Sequence, residues 1–147
     1  MDKKLNLLLA DDDVDDCDFF KDAIDEMGLL VNFSTVNNGV ELMALLRSGA
    51  EANPDVLFLD LNMPKKSGME CIEEIKTTDS MRSIPIVVFS TSMDNTVVDT
   101  LYNLGAHYYI QKPGEFKNLK AVIKKAISSF TNDPIPPRTK EDFIIQP

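Results

Sequence analysis

Five short apolar runs recur along the chain, and each is followed by a stretch whose apolar residues return with helical period. The runs are Leu5–Ala10, Val31–Val36, Val56–Leu59, Ile86–Phe89 and Tyr108–Ile110, all short and rich in residues that suit strands. Between them, Val14, Cys17, Phe20, Ile24 and Met27 share one helical face, with Gly28 as a stop signal. Val40, Met43 and Leu46 mark a second helix ending near Gly49, and Met69, Ile72 and Ile75 mark a shorter third. Val97, Leu101 and Leu104 give a fourth, opened by Asp94 or Asn95 as cap and closed by Gly105. The longest stripe runs through Phe116, Leu119, Val122, Ile123, Ala126, Ile127 and Phe130. Strands alternating with helices in this way, some of them apolar throughout, predict an α/β fold with a parallel sheet covered on both faces. A chain of 147 residues has room for one such domain.

After Phe130 the pattern stops. Residues 131–147 contain Pro134, Pro136, Pro137 and Pro147 and read as an extended tail, so the expected division is a domain over 4–130 and a tail over 131–147. The tail holds one apolar cluster, Phe143, Ile144 and Ile145. Burying it would offset the cost of ordering the tail, which predicts docking in an apolar groove or on a sheet edge, of its own molecule or of a second copy.

The charge is placed unevenly. Net charge is −9, and residues 11–26 alone carry nine acidic side chains against one base, Lys21. Such a balance argues against non-specific nucleic-acid binding and against anionic membrane surfaces. No run approaches the length of a membrane span, and the first ten residues lack the apolar region and cleavage site of a signal peptide. Two cysteines, Cys17 and Cys71, each within an amphipathic stretch, suit small core residues in a reducing cytoplasm rather than a disulfide scaffold. Asp15, Asp16, Asp18, Asp22, Asp25 and Glu26 read as a solvated helix face, and Asp13 as a helix N-cap.

In an open parallel sheet, ligands sit beyond the carboxyl ends of the strands. After the first strand come Asp11 and Asp12; after the third comes Asp60; after the fourth, Ser90 and Thr91; after the fifth, Lys112-Pro113. Three carboxylates, a hydroxyl and an ammonium would meet on one edge. Crowded carboxylates raise one another's pKa unless a cation joins them. Mg²⁺ suits such a place, because it prefers oxygen ligands and often bridges carboxylates to phosphate. An aspartate beside it can attack phosphorus and form an acyl phosphate, with Lys112 as a point charge and Ser90 as a hydrogen-bond donor to the phosphoryl oxygens.

At these residues the sequence resembles the receiver domains of two-component response regulators. The motifs are Leu7-Leu8-Leu9-Ala10-Asp11-Asp12, then Leu59-Asp60-Leu61-Asn62-Met63-Pro64 with Gly68, then Ser90 after an apolar strand, then Lys112-Pro113. The resemblance implies a doubly wound, five-stranded flavodoxin-like sheet in the order 2-1-3-4-5 with helices on both faces. It implies Asp60 as phosphoacceptor, and Mg²⁺ held by Asp12, Asp60 and the backbone carbonyl of Asn62, with Asp11 acting mainly through a bound water. Ser90 and Lys112 would hold the phosphoryl group, and Tyr109 would be the aromatic whose inward rotation reports the state of Ser90. Thr91 stands where the family more often has Ala or Gly, which could narrow phosphoryl access, and Gly114 replaces the common Phe after Lys112-Pro113.

The function implied is a stand-alone phosphorelay protein, not an enzyme with a separate substrate, that gains and loses phosphate on its own aspartate. A histidine kinase or phosphotransfer protein would supply the phosphoryl group. The face of the fourth helix, fifth strand and fifth helix would signal to a downstream protein, with a homodimer as one possibility. Two rivals weigh less. An aspartate-nucleophile phosphatase of the haloacid-dehalogenase type needs a second aspartate two places after the nucleophile, where this chain has Asn62. A degenerate, never phosphorylated receiver usually loses the acceptor, the acid pair or the lysine, and this chain keeps all of them. No Gly-rich phosphate loop follows any strand. His107, the sole histidine, has no partner of a kind that would make it a ligand or phosphoacceptor, and reads as a structural or exposed residue.

Overall fold

Four consecutive apolar residues, Val56 to Leu59, have no polar face to offer water, so the strand they form must be covered on both sides. In the computed structural model, which describes residues 4–49, 53–132 and 139–147, that strand is fully buried at the centre of a five-stranded parallel sheet. The elements in chain order are β1 (Leu5–Ala10), α1 (Val14–Met27), β2 (Val31–Val36), α2 (Gly39–Ser48), β3 (Val56–Leu59) and α3 (Gly68–Thr77), then β4 (Ile86–Ser90), α4 (Asn95–Leu104), β5 (Tyr108–Gln111), α5 (Phe116–Asn132) and α6 (Lys140–Phe143). Strand order is β2-β1-β3-β4-β5, the expected 2-1-3-4-5 arrangement.

Alternation along the strands divides the core in two. Leu8, Ala10, Leu57, Leu59, Ile86 and Val88 face α2, α3 and α4 through Leu42, Met43, Ile72, Ile75 and Leu101. Leu7, Leu9, Phe58, Val87, Phe89 and Ile110 face α1 and α5 through Phe20, Ile24, Leu119, Val122 and Ile123. Phe20 anchors this second half, packing edge-on against Phe58 and Phe89. The two tyrosines of β5 separate accordingly, Tyr109 to the first half and Tyr108 to the second.

Local chemistry starts and stops the helices. Asp13 caps α1, its carboxylate accepting the N–H groups of Asp15 and Asp16, and Gly28 ends it in the left-handed conformation at φ 64°. Asp94 caps α4 in the same way, and Ser67 forms a capping box with Glu70 at α3. Two positions of the expected stripes face solvent instead. Val14 is 63% exposed and Val40 50% exposed, each within the first turn of its helix. Leu42 takes the core position in α2, and Val98 joins Leu101 in α4.

The C-terminal segment departs from a purely extended course. Thr139 caps the single turn of α6, its hydroxyl accepting the Asp142 N–H, and the chain then runs beside β5. Tyr109 and Ile144 form a parallel bridge, and Ile145 N–H donates to the Tyr109 carbonyl at 2.9 Å. Phe143 is fully buried between α4 and the sheet, with its ring 5.4 Å from Tyr102 and 6.3 Å from Tyr109. The apolar cluster thus docks on its own molecule and covers part of the open β5 edge. Pro134, Pro136 and Pro137 lie outside the described residues.

Candidate phosphoryl and metal site

Strand order reverses at β1, which sends α1 to one face and α2 to the other and leaves a cleft beyond the ends of β1 and β3. The register carries Asp11, Asp12 and Asp60 to that cleft. Ala10 pairs with Leu59, and Asp60 N–H donates to the Ala10 carbonyl at 2.9 Å, so the aspartates that follow stand side by side. Asp11 and Asp60 are buried, while Asp12 is exposed at the mouth. One oxygen from each of Asp11, Asp12 and Asp60 lies within 4.8 Å of the others. Behind Asp60 the backbone passes so close that a Cβ on Gly68 would stand 2.3 Å from the Asp60 carbonyl oxygen. Only glycine lets α3 begin there.

The charges are arranged around one ammonium. Lys112 Nζ is 2.8 Å from Asp11 Oδ2, 2.8 Å from Asp16 Oδ2 and 3.7 Å from Asp60 Oδ2. Its Nζ also lies over the Phe89 ring, 5.6 Å from the centroid. Burial alone would lower the pKa of this lysine. The close contacts with Asp11 and Asp16, together with the charges of Asp11 and Asp60, overcome that and raise it. The pKa of Asp60 is raised as well, which for a carboxylate disfavours the charge. Burial first and the Asp11 charge second push it up to about 6, offset in part by Lys112 and by the Asn62 N–H, which donates to Asp60 Oδ1 at 3.4 Å.

Ser90 is buried at the end of β4, and its Oγ accepts the Ser92 N–H at 3.2 Å. The Lys112 N–H donates to the Ser90 carbonyl at 2.8 Å, which ties the ends of β4 and β5 together. Thr91 is exposed at the rim, and its carbonyl accepts from Gln111 Nε2 at 3.3 Å. The Tyr109 ring is already fully buried, its hydroxyl donating to the Ser92 carbonyl. An inward Tyr109 is expected of the phosphorylated state, but here Phe143 and Ile144 cover the ring without that requirement.

The donor set fits a hard divalent cation. It is all oxygen, and Asp11 Oδ2 is buried without a hydrogen bond of ordinary geometry, its close neighbour being the Lys112 ammonium. Asp16 belongs to the lysine's surroundings rather than to its expected place on a solvated face, and its sequence gave no sign of this. Cys17 and Cys71 are buried free thiols, as expected of small core residues. His107 is structural too: its Nδ1 accepts the Ile86 N–H at 3.2 Å, and burial, helped by Lys76, lowers its pKa to about 4.

Residues 7–124 match the family described as the response regulator receiver domain, and the chain belongs to that family. It is 30% identical over 128 residues to the response regulator Rcp1 of Synechocystis sp., which covers 84% of this chain and 86% of that protein. It is 27% identical over 122 residues to the probable methanogenesis regulatory protein FilR2 of Methanothrix harundinacea, covering 81% and 79%. Among solved structures, the phosphorylated cyanobacterial phytochrome response regulator RcpA is similar with TM-score 0.82 at 29% identity, over 92% of this chain and 99% of that one. The Mn²⁺-bound form of Rcp1 is similar with TM-score 0.77 at 27% identity, again over 92% and 99%. No helix among the described residues is long and apolar enough to cross a membrane.

Proposed function

We propose that the protein is a phosphoryl-accepting switch of the two-component kind, with Asp60 as the acceptor and residues 4–130 as the working domain. The observation that carries this reading is a buried carboxylate set between two further carboxylates and an ammonium 3.7 Å away. Burial and the Asp11 charge keep Asp60 more basic than an ordinary aspartate, yet ionised for the most part at neutral pH. A carboxylate in that state is a competent nucleophile.

A histidine kinase or phosphotransfer protein presents a phosphohistidine at the cleft mouth. One oxygen of Asp60 attacks the phosphorus, the P–N bond to the donor imidazole breaks, and the electron pair leaves with the imidazole nitrogen, which takes a proton from water. The product is an acyl phosphate on Asp60. Asp12, Asp60 and the Asn62 carbonyl would hold Mg²⁺, with Asp11 acting through water, and the ion would neutralise charge on the phosphoryl oxygens. Lys112 supplies a point charge to the same oxygens, and Ser90, whose Oγ accepts from Ser92, turns its O–H to donate to them. Thr91 at the rim limits access for water. Loss of the phosphoryl group by hydrolysis resets the site.

The Ser90 movement passes to Ser92 and Tyr109, which share one hydrogen-bonded corner at the top of α4, β5 and α5. That face signals to a downstream protein. A modest bias suffices, since moving a 1:99 population to 99:1 takes about 5.5 kcal/mol of differential interaction. Incubation with acetyl phosphate and Mg²⁺ should add one phosphoryl group to the protein. Addition of EDTA or the change Asp12→Ala should reduce incorporation at least ten-fold. Incorporation that is indifferent to both would contradict the metal assignment, and none in the wild type would contradict the function.

A further inference from the structure

Asp16 is the carboxylate that the reading above leaves unused. It lies in the first turn of α1, and its Oδ2 is as close to Lys112 Nζ, at 2.8 Å, as Asp11 is. Asp60, the group Lys112 would have to serve, is 3.7 Å away. Of the ammonium's three donors one is given to Asp16 as a hydrogen bond, while Asp11 holds the ammonium as an ion pair. Asp11 also belongs to the group of carboxylates that can share a cation. Asp16 does not, among the described residues.

The placement of Asp16 is built in. Asp11 Oδ1 accepts the Asp13 N–H at 3.0 Å, and Asp13 Oδ1 accepts the N–H groups of Asp15 and Asp16 at 2.9 and 3.2 Å. The cap fixes the first turn of α1, and the turn aims Asp16 inward at the lysine. Asp15 and Asp18, its neighbours on the same helix, are exposed. The Lys112 side chain is 11% exposed and that of Asp16 36%, so their contact is partly shielded from water. The Lys112 backbone is held by the Ser90 carbonyl, so only the side chain needs to swing to reach a group on Asp60.

We propose that Asp16 is a positioning residue for Lys112, holding its ammonium in a rest position from which a phosphoryl group on Asp60 must draw it. Asp16 thereby sets how readily the phosphorylated state forms. The inference rests on the phosphoacceptor reading of Asp60. Removing the Asp16 carboxylate should free Lys112 and tighten binding of a phosphoryl mimic.

The test is a titration of the full chain with beryllofluoride in saturating Mg²⁺, followed by NMR. We expect Asp16→Asn to lower the half-saturating concentration about five-fold, the effect of losing one partly exposed ion pair. Asp15→Asn, which removes the same charge from the same turn, should change it less than two-fold. Asp16→Glu, which restores a carboxylate within reach of the lysine, should stay within two-fold of the wild type. Mg²⁺ titrated alone should bind Asp16→Asn and Asp15→Asn equally. Equal or weaker binding of beryllofluoride by Asp16→Asn would overturn the inference, as would an equal gain in Asp15→Asn or failure of Asp16→Glu to restore the wild-type value. A wild-type protein that takes no beryllofluoride at all would instead overturn the phosphoacceptor reading beneath it.

Discussion

Asp60 carries a stability cost in the protein free of cation. Its carboxyl is pushed from an ordinary 3.8 to about 6 by burial and by Asp11, so between those values the folded chain holds a proton that the unfolded chain has released. Stability associated with this group is therefore fully present below pH 3.8 and is lost as pH rises through 6. The shift corresponds to about 3 kcal/mol as an upper bound. Asp60→Asn removes the charge and should stabilise the cation-free protein by up to that amount at pH 8, by less at pH 5, and not at all at pH 3.5. Urea unfolding in EDTA at the three pH values checks this, and a constant difference would contradict the assignment of the strain to ionisation. At this scale, much of the site was legible because each residue follows a strand, and parallel strands bring their carboxyl ends together. Asp16 was not legible. Its partner Lys112 is 96 residues away, and nothing in the local pattern separates Asp16 from Asp15 or Asp18.

Strands and helices were read with least error where their limits depend on neighbouring residues alone. β1, β2 and β3 begin and end where the apolar runs do, and β4 and β5 are each one residue longer, adding Ser90 and Gln111 to the ladder. The caps at Asp13 and Asp94 and the stops at Gly28 and Gly105 are likewise local features. Replacing Asp94 by Ala should cost about 0.5–2 kcal/mol, since its carboxylate accepts the N–H groups of Thr96 and Val97. Val14 and Val40 show the opposite case, in which helical period alone could not say that a first-turn residue is left uncovered. The tail is the element for which sequence pointed to a need without its solution. Phe143, Ile144 and Ile145 had to be buried, but the groove between α4 and β5 exists only in the folded chain. Phe143→Ala should destabilise the protein by about 3–5 kcal/mol, read as a lowered urea midpoint with an unchanged slope. A loss under 1 kcal/mol would mean that the tail is not part of the folding unit.

The molecule as a whole joins a rigid scaffold to a site under electrostatic load. Both sheet faces are packed, the β5 edge is partly covered by the tail, and like charges gather where the strand order reverses. Much of the concentrated acid of residues 11–26 coats α1. Of that stretch Asp11 and Asp12 stand with Asp60 where a cation could be shared, and Asp16 stands at the lysine. On the proposed reading, phosphorylation of Asp60 would add negative charge to this load, which Lys112 and a bound cation would offset. The central claim is that this one carboxylate takes the phosphoryl group. It is tested most directly by incubating the full chain with acetyl phosphate and Mg²⁺, trapping the acyl phosphate with borohydride, and locating the modified residue by peptide mass spectrometry. We expect modification of Asp60 alone in the wild type and none in Asp60→Asn; modification of Asp11 or Asp12, or a label that survives Asp60→Asn, would contradict it.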